Sequence, residues 1–237
     1  QYLKSRGLIS DFSNVVSGIN TELRHHIYVD ERGEWLRKAT KFRNGQWLQS
    51  RWESNQWKPK VTGVRNVPYG LDRLGDDNKN ELCYIFEGEK DVERAWKNGF
   101  TATCNVGGAG NWSSDLNKYL VGRTVCIVPD NDEAGSNHAK KVQASLRSYD
   151  IDCFIFWDYC GDLDEKGDFS DWMDINSNDF EKFRNLTESA AKASREVETP
   201  PHNKAIPQGL LSNKKPSEDE LTDIVLQDIG EKNLITN

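Results

Sequence analysis

The chain has 237 residues, a hydrophobic share of 36% with 8 Trp, and a formal net charge of -7, which is enough apolar material for one large domain or two small ones around a real core. No run approaches the roughly 20 apolar residues of a membrane-spanning helix, and the first residues lack the basic, apolar and small-residue order of a signal peptide. No membrane partner and a cytoplasmic address are therefore expected. The cysteines, Cys83, Cys104, Cys126, Cys153 and Cys160, are odd in number and have no CxxC spacing. They read as reduced core thiols, so neither a disulfide framework nor a zinc site is expected. A start at Gln1 in place of Met is compatible with a fragment of a larger protein and does not decide it.

Residues 1 to 23 offer only Tyr2, Leu3, Leu8, Ile9 and Phe12 as a short packing element. Residues 26–29 and 35–42, separated by the turn at Asp30-Glu31-Arg32-Gly33, predict a hairpin; residues 46–52 and 56–61 predict a second pairing, with Asn55 and Gly63 as turn residues. From Arg24 to Arg73 eleven basic residues stand against five acidic ones, a local charge of +6 that leaves -13 for the rest. A basic lobe beside an acidic one asks for an explanation. Trp35, Trp47, Trp52 and Trp57 are interleaved with these cations. At this spacing they read first as the core of a small sheet whose charges are its solvated face, although cations alternating with rings are also what a groove for nucleic acid is made of. The polar, turn-rich residues 76–80 place a boundary, giving a smaller basic strand-rich α+β subdomain over 1–78.

From residue 82 the pattern changes to strands alternating with helices: strand 82–86, helix 91–97, strand 101–105, the loop Gly107-Gly108-Ala109-Gly110, helix 113–119, strand 124–128, a helix through Ala139, Val142 and Leu146, and strand 152–157. Such alternation implies crossover connections and an α/β domain with a mostly parallel sheet over 79–196, closed by a helix from Phe180. Residues 197–237 read as a linker, beginning at Pro200-Pro201, and an acidic amphipathic tail with Leu221, Ile224, Val225 and Ile229 on one helical face.

In an open parallel sheet functional groups collect outside the carboxyl ends of the strands. Glu87 follows the first strand of this domain, Asp130 and Asp132 the third, and Asp168 and Asp171 the fourth, so all five are expected on one edge. Two unit charges about 4 Å apart at an effective dielectric near 20 repel by roughly 4 kcal/mol, and a cation is the simplest compensation. Oxygen-only donors select a hard ion, Mg²⁺ or Mn²⁺, and that is the ion phosphoryl chemistry uses. Each part also has a plain structural reading: Asp130-Asn131-Asp132 as a turn with helix-capping acids, Glu87 as a lone edge carboxylate, the glycine loop as a turn.

The stretches Phe86-Glu87-Gly88-Glu89-Lys90-Asp91, Val128-Pro129-Asp130-Asn131-Asp132-Glu133-Ala134-Gly135 and Lys166-Gly167-Asp168-Phe169-Ser170-Asp171-Trp172 resemble the three acidic motifs of the Toprim domain, above all those of the Toprim DNA primases of phages and plasmids. The resemblance implies a Toprim-like Rossmannoid domain preceded by the basic subdomain of a primase catalytic core. It implies Glu87 as general acid/base, Glu87, Asp130, Asp132, Asp168 and Asp171 as the metal-holding acids, and template or triphosphate held by the basic lobe, for which Lys60 and Arg65 are the candidates, beside Gly107 and Gly108. The partners it implies are a single-stranded DNA template, nucleoside triphosphates and a replicative helicase. The sequence lacks the family's amino-terminal zinc module and any GxxxxGK[ST] phosphate loop, so the helicase would act in trans or from a missing part. Two other readings stand beside a primase: a metal-dependent Toprim nuclease, and a non-catalytic adaptor that binds DNA and a helicase.

Overall fold

The computed structural model describes residues 21–198; the packing element at the amino terminus and most of the linker and tail lie outside them. Two four-stranded sheets are present. The first is an antiparallel meander of β1 (Glu22–Val29), β2 (Trp35–Phe42), β3 (Trp47–Glu53) and β4 (Gln56–Pro59), paired in that order. Both expected hairpins are there, the second turning at Ser54 and Asn55 in the left-handed region, which Asn tolerates better than most residues.

The second sheet contains β5 (Cys83–Ile85), β6 (Thr101–Thr103), β7 (Val125–Ile127) and β8 (Cys153–Ile155) in the order β6-β5-β7-β8, every pair parallel. It is covered by α1 (Glu89–Trp96), α2 (Glu133–Arg147), α3 (Phe169–Ile175) and α4 (Phe180–Glu198). The helix expected at 113–119 is a 3-10 helix, Ser114–Tyr119, started by Ser113, whose hydroxyl accepts the Asp115 N–H. Alternation along β5 divides the core. Cys83 and Ile85 face one apolar cluster, with Leu116, Val142 and Leu146, while Tyr84 and Phe86 face the other, where Phe183 of α4 meets Phe156, Phe169 and Trp172. A strand buried on both faces must read as an unbroken apolar run, which is how Cys83-Tyr84-Ile85-Phe86 reads.

The antiparallel sheet docks on α1 through one face. Tyr28 Oη donates to Glu89 Oε1 at 2.8 Å, His26 Nδ1 lies 2.8 Å from Glu93 Oε1, and Tyr69 Oη donates to the same Glu93 oxygen at 2.7 Å. Gly70, at φ +70, lets the backbone press against Trp96, where a Cβ would stand 2.2 Å from the ring. The opposite face is not covered among the described residues, which corrects the expectation that the four tryptophans form a core. None is buried. Trp35, Trp52 and Trp57 pack on one another with centroids 4.8 to 5.6 Å apart, and Trp47, 43% exposed, stacks instead on His26 at 6.1 Å.

Candidate active site

In the order β6-β5-β7-β8 the connection from β5 runs to one side and the connection from β7 to the other, so the crevice between their carboxyl ends is the switch point of the sheet. Ile85 pairs with Ile127, and Val128 N donates to Ile85 O at 2.9 Å. The residues that follow, Glu87 and Asp130, therefore emerge side by side. Phe86 and Val128 are buried beneath them.

Each loop of the edge is fixed by its own contacts. Asp132 caps α2, accepting the Gly135 N–H at 2.7 Å. Gly135 has to be glycine here, because a Cβ would stand 2.4 Å from Asp130 O. Asn131 ties this loop to the next one: its Nδ2 donates to Leu163 O and Asp164 O, each at 3.0 Å, and its N–H donates to Gly167 O. Asp168 and Asp171 form a capping box on α3, each side chain accepting the other's backbone N–H. The glycine loop is held by Asn105 Nδ2 on Gly108 O, by His138 Nδ1 accepting the Gly110 N–H at 3.0 Å, and by Lys141 Nζ on Gly110 O. So placed, the loop gives its Ala109 N–H to the Glu87 carboxylate.

A cavity of about 410 Å³ opens above this edge. Of the expected residues, Glu87, Gly107, Gly108, Asp130 and Asp168 line it. Asp132 and Asp171 are not among its lining residues, and both carboxylates serve as helix-starting groups. Lys60 and Arg65 are not among them either; the Arg65 guanidinium is held by both oxygens of Glu31, at 2.6 and 2.9 Å. The cations of the cavity are Arg24, from β1, and Lys90, from the first turn of α1. Trp47 and Gln49, from β3, also line the cavity. Arg24 lies 5.9 Å and Lys41 Nζ 5.6 Å from the Trp47 ring centroid.

Sequence reasoning also missed Asp91, which is buried, lines the cavity, and accepts from Ser170 N at 3.1 Å and Ser170 Oγ at 2.5 Å. The signal was available: Asp91 stands four residues after Glu87 at a helix start, a spacing that returns a side chain to the same side.

The electrostatics are those of a crowded anionic site. Burial, then the charges of Glu87, Asp91, Asp168 and Asp132, push the Asp130 carboxyl up to about 8. Burial and then Asp168 raise Asp91 to about 6, against the opposing Ser170 bonds. Burial, then Asp132, also raises Glu87 above the ordinary carboxylate range, against the Ala109 N–H. Glu87 Oε2 is buried without a hydrogen-bond partner. Among the described residues no three His, Cys, Asp or Glu side chains form a ready-made metal cage. Mg²⁺ does not require one, since it binds through one or two carboxylates together with waters and phosphate oxygens, and a partnerless oxygen on Glu87 beside the proton-hungry Asp130 suits such an ion.

Residues 84–168 match the Toprim_2 family, described as Toprim-like. The motif order, the sheet topology and the position of the acids on the strand ends agree with that match. With the antiparallel sheet included, the chain has the fold of a primase catalytic core. It aligns with the zinc-binding and RNA polymerase domains of the Aquifex aeolicus primase at a TM-score of 0.55, with 18% identity over 79% of this chain and 47% of that one. A DnaG primase catalytic domain bound to single-stranded DNA gives 0.53 and 17% identity over 80% and 62%; a DNA primase domain from Pseudomonas aeruginosa gives 0.52 and 17% over 76% and 56%. The chain thus spans about half to three-fifths of the length of the structures it matches. No curated protein sequence matches it. Among the described residues no helix is long and apolar enough to cross a membrane.

Proposed function

We propose that the chain is the catalytic core of a DNA primase, joining nucleotides into short RNA primers on a single-stranded DNA template. The observation that carries this reading is a cavity lined both by Glu87, Asp91 and Asp130 from the parallel-sheet domain and by Arg24 and the exposed Trp47 from the antiparallel sheet. Hydrolysis of DNA needs the acids and water. Polymerisation needs, besides the acids, a place for a base and a cation for a triphosphate, and Trp47 and Arg24 are groups for the two.

In the reaction the 3′-oxygen of the growing primer attacks the α-phosphorus of the incoming nucleotide, and the bond to the pyrophosphate oxygen breaks. Glu87 and Asp130 are the residues that would hold Mg²⁺ or Mn²⁺. When bound, the ion draws charge from the phosphate oxygens and lowers the pKa of the attacking hydroxyl. Glu87, raised by burial, is suited to take the hydroxyl proton, and the Ala109 N–H keeps its carboxylate facing the cavity. Arg24 and Lys90 balance the phosphates, and Trp47 offers a ring for a base. The replicative helicase is a partner from another chain or from a further part of a longer protein.

The test is nucleotide incorporation on a mixed-sequence single-stranded template with Mg²⁺, run beside Glu87→Gln and Asp130→Asn. Both variants are expected to keep the fold and lose synthesis by about 10² or more, the scale of losing a positioned acid/base or metal donor. Retained synthesis in both rejects the assignment. Shortening of DNA with Mn²⁺ and no nucleotides would mark a nuclease instead.

A further inference from the structure

We propose that Lys90 takes the place of a second divalent cation on the acidic edge, so that the site is built for one metal ion, at Glu87 and Asp130. This rests on the reading of those two carboxylates as the metal-holding pair.

The edge divides into a satisfied half and an unsatisfied one. Asp168 has partners on both oxygens: Oδ2 lies 2.5 Å from Lys90 Nζ, and Oδ1 accepts the Asp171 N–H at 2.9 Å. Asp171 in turn accepts the Asp168 N–H, and Asp91 accepts twice from Ser170. Glu87 differs, because its Oε2 is buried with no partner. A cation arriving from solvent therefore finds an open donor at Glu87 and an occupied one at Asp168.

The position of Lys90 in its helix argues independently. It stands two residues past Gly88, the N-cap of α1, where the helix dipole disfavours a cation by about 0.3–1 kcal/mol. Its neighbours Glu89 and Asp91 follow the helix preference for acids in the first turn and Lys90 opposes it. A residue placed against its own helix must be supported from outside that helix, and the ion pair with Asp168 reaches across to α3. Lys90 also lines the same cavity as Glu87 and Asp130. With Asp168 neutralised from within the chain, one dication faces Glu87, Asp91 and Asp130 and offsets most of their charge.

The experiment is a Mn²⁺ titration of the full chain without nucleotide, with free Mn²⁺ read by electron paramagnetic resonance and the stoichiometry checked by calorimetry. Wild type is expected to take one ion and Lys90→Arg one. Lys90→Met is expected to take a second ion at least about tenfold more tightly than wild type does, since a neighbouring positive charge has been removed, and Lys90→Met with Asp168→Asn is expected to lose it again. Lys90→Gln repeats the arm with a polar replacement, and near-ultraviolet circular dichroism confirms the fold of each variant. Two ions of similar affinity in wild type, or one ion in wild type and still one in both Lys90→Met and Lys90→Gln, overturns the inference. No ion at all in wild type overturns the reading of Glu87 and Asp130 on which it stands.

Discussion

Removing the charge of Asp130 is expected to stabilise the metal-free protein. A carboxyl whose folded-state pKa is raised binds its proton more tightly folded than unfolded, so stability falls as pH climbs from the unfolded value of 3.8 to the folded value of about 8, and levels off above it. At about 1.36 kcal/mol per pH unit, the whole interval is worth at most roughly 5–6 kcal/mol. Asp130 retains some solvent contact, and its neighbours can take up protons in its stead, which cuts the expected penalty to about 2–3 kcal/mol. Asp130→Asn removes it. In EDTA at pH 8.5 the variant should melt about 5–10 °C above wild type, and the gap should close as pH falls towards 4. Mg²⁺ should narrow the gap at pH 8.5 by stabilising only the wild type through binding. A variant that melts at or below wild type in EDTA at pH 8.5, or a gap that does not depend on pH, refutes the reasoning.

Gly135→Ala drives a Cβ into Asp130 O at 2.4 Å and should cost about 2 kcal/mol in urea denaturation, within the usual range for overpacking, while displacing the Asp130 loop and abolishing synthesis. Trp47→Ala should weaken binding of single-stranded DNA or nucleotide by about 5- to 100-fold, the worth of one stacked base, with Trp47→Phe restoring most of it in a fluorescence-anisotropy titration. Arg65→Ala should leave that affinity within about twofold, because its guanidinium serves Glu31 in an exposed pair. His138→Leu removes the acceptor of the Gly110 N–H and should lower kcat about 5- to 30-fold, the cost of one stranded donor. His138→Asn, whose Oδ1 can accept the same N–H, should retain activity, and loss in both variants would remove the glycine loop's role in positioning Glu87.

The strand ends were legible because a parallel sheet hides little. Its strands are buried on both faces, so Cys83-Tyr84-Ile85-Phe86 and Val125-Cys126-Ile127-Val128 stand out as apolar runs, and a carboxylate directly after such a run lies on the carboxyl edge. The antiparallel sheet was legible as hairpins but not by face. Residues paired across it, such as Arg24 with Lys41 and Tyr28 with Arg37, share a face, but only the docking of Tyr28 on Glu89 decides which face meets the acids. That contact puts Arg24 and Trp47 in the cavity, and leaves Trp52 and Trp57 in the exposed tryptophan cluster. No local pattern carries this information, because it depends on contacts some sixty residues apart.

The acids themselves show a subtler ambiguity. In a strand-loop-helix junction the positions that can reach a ligand are also the positions that start the next helix, and Asp serves both purposes equally well in sequence. The structure separates the purposes by partner. Asp132 starts α2 and Asp168 starts α3, each accepting a backbone N–H from its helix. Helix α1, which follows the first motif, begins at Gly88 with no side-chain cap at all, and Glu87 just before it keeps an oxygen with no partner. Asp130 lies two residues ahead of the α2 cap and is left with an unfavourable charge. The chain therefore uses the second acid of one pair and both acids of the other for its helices, and the two carboxylates it leaves unsatisfied, Glu87 and Asp130, are the ones that stand side by side at the switch point of the sheet.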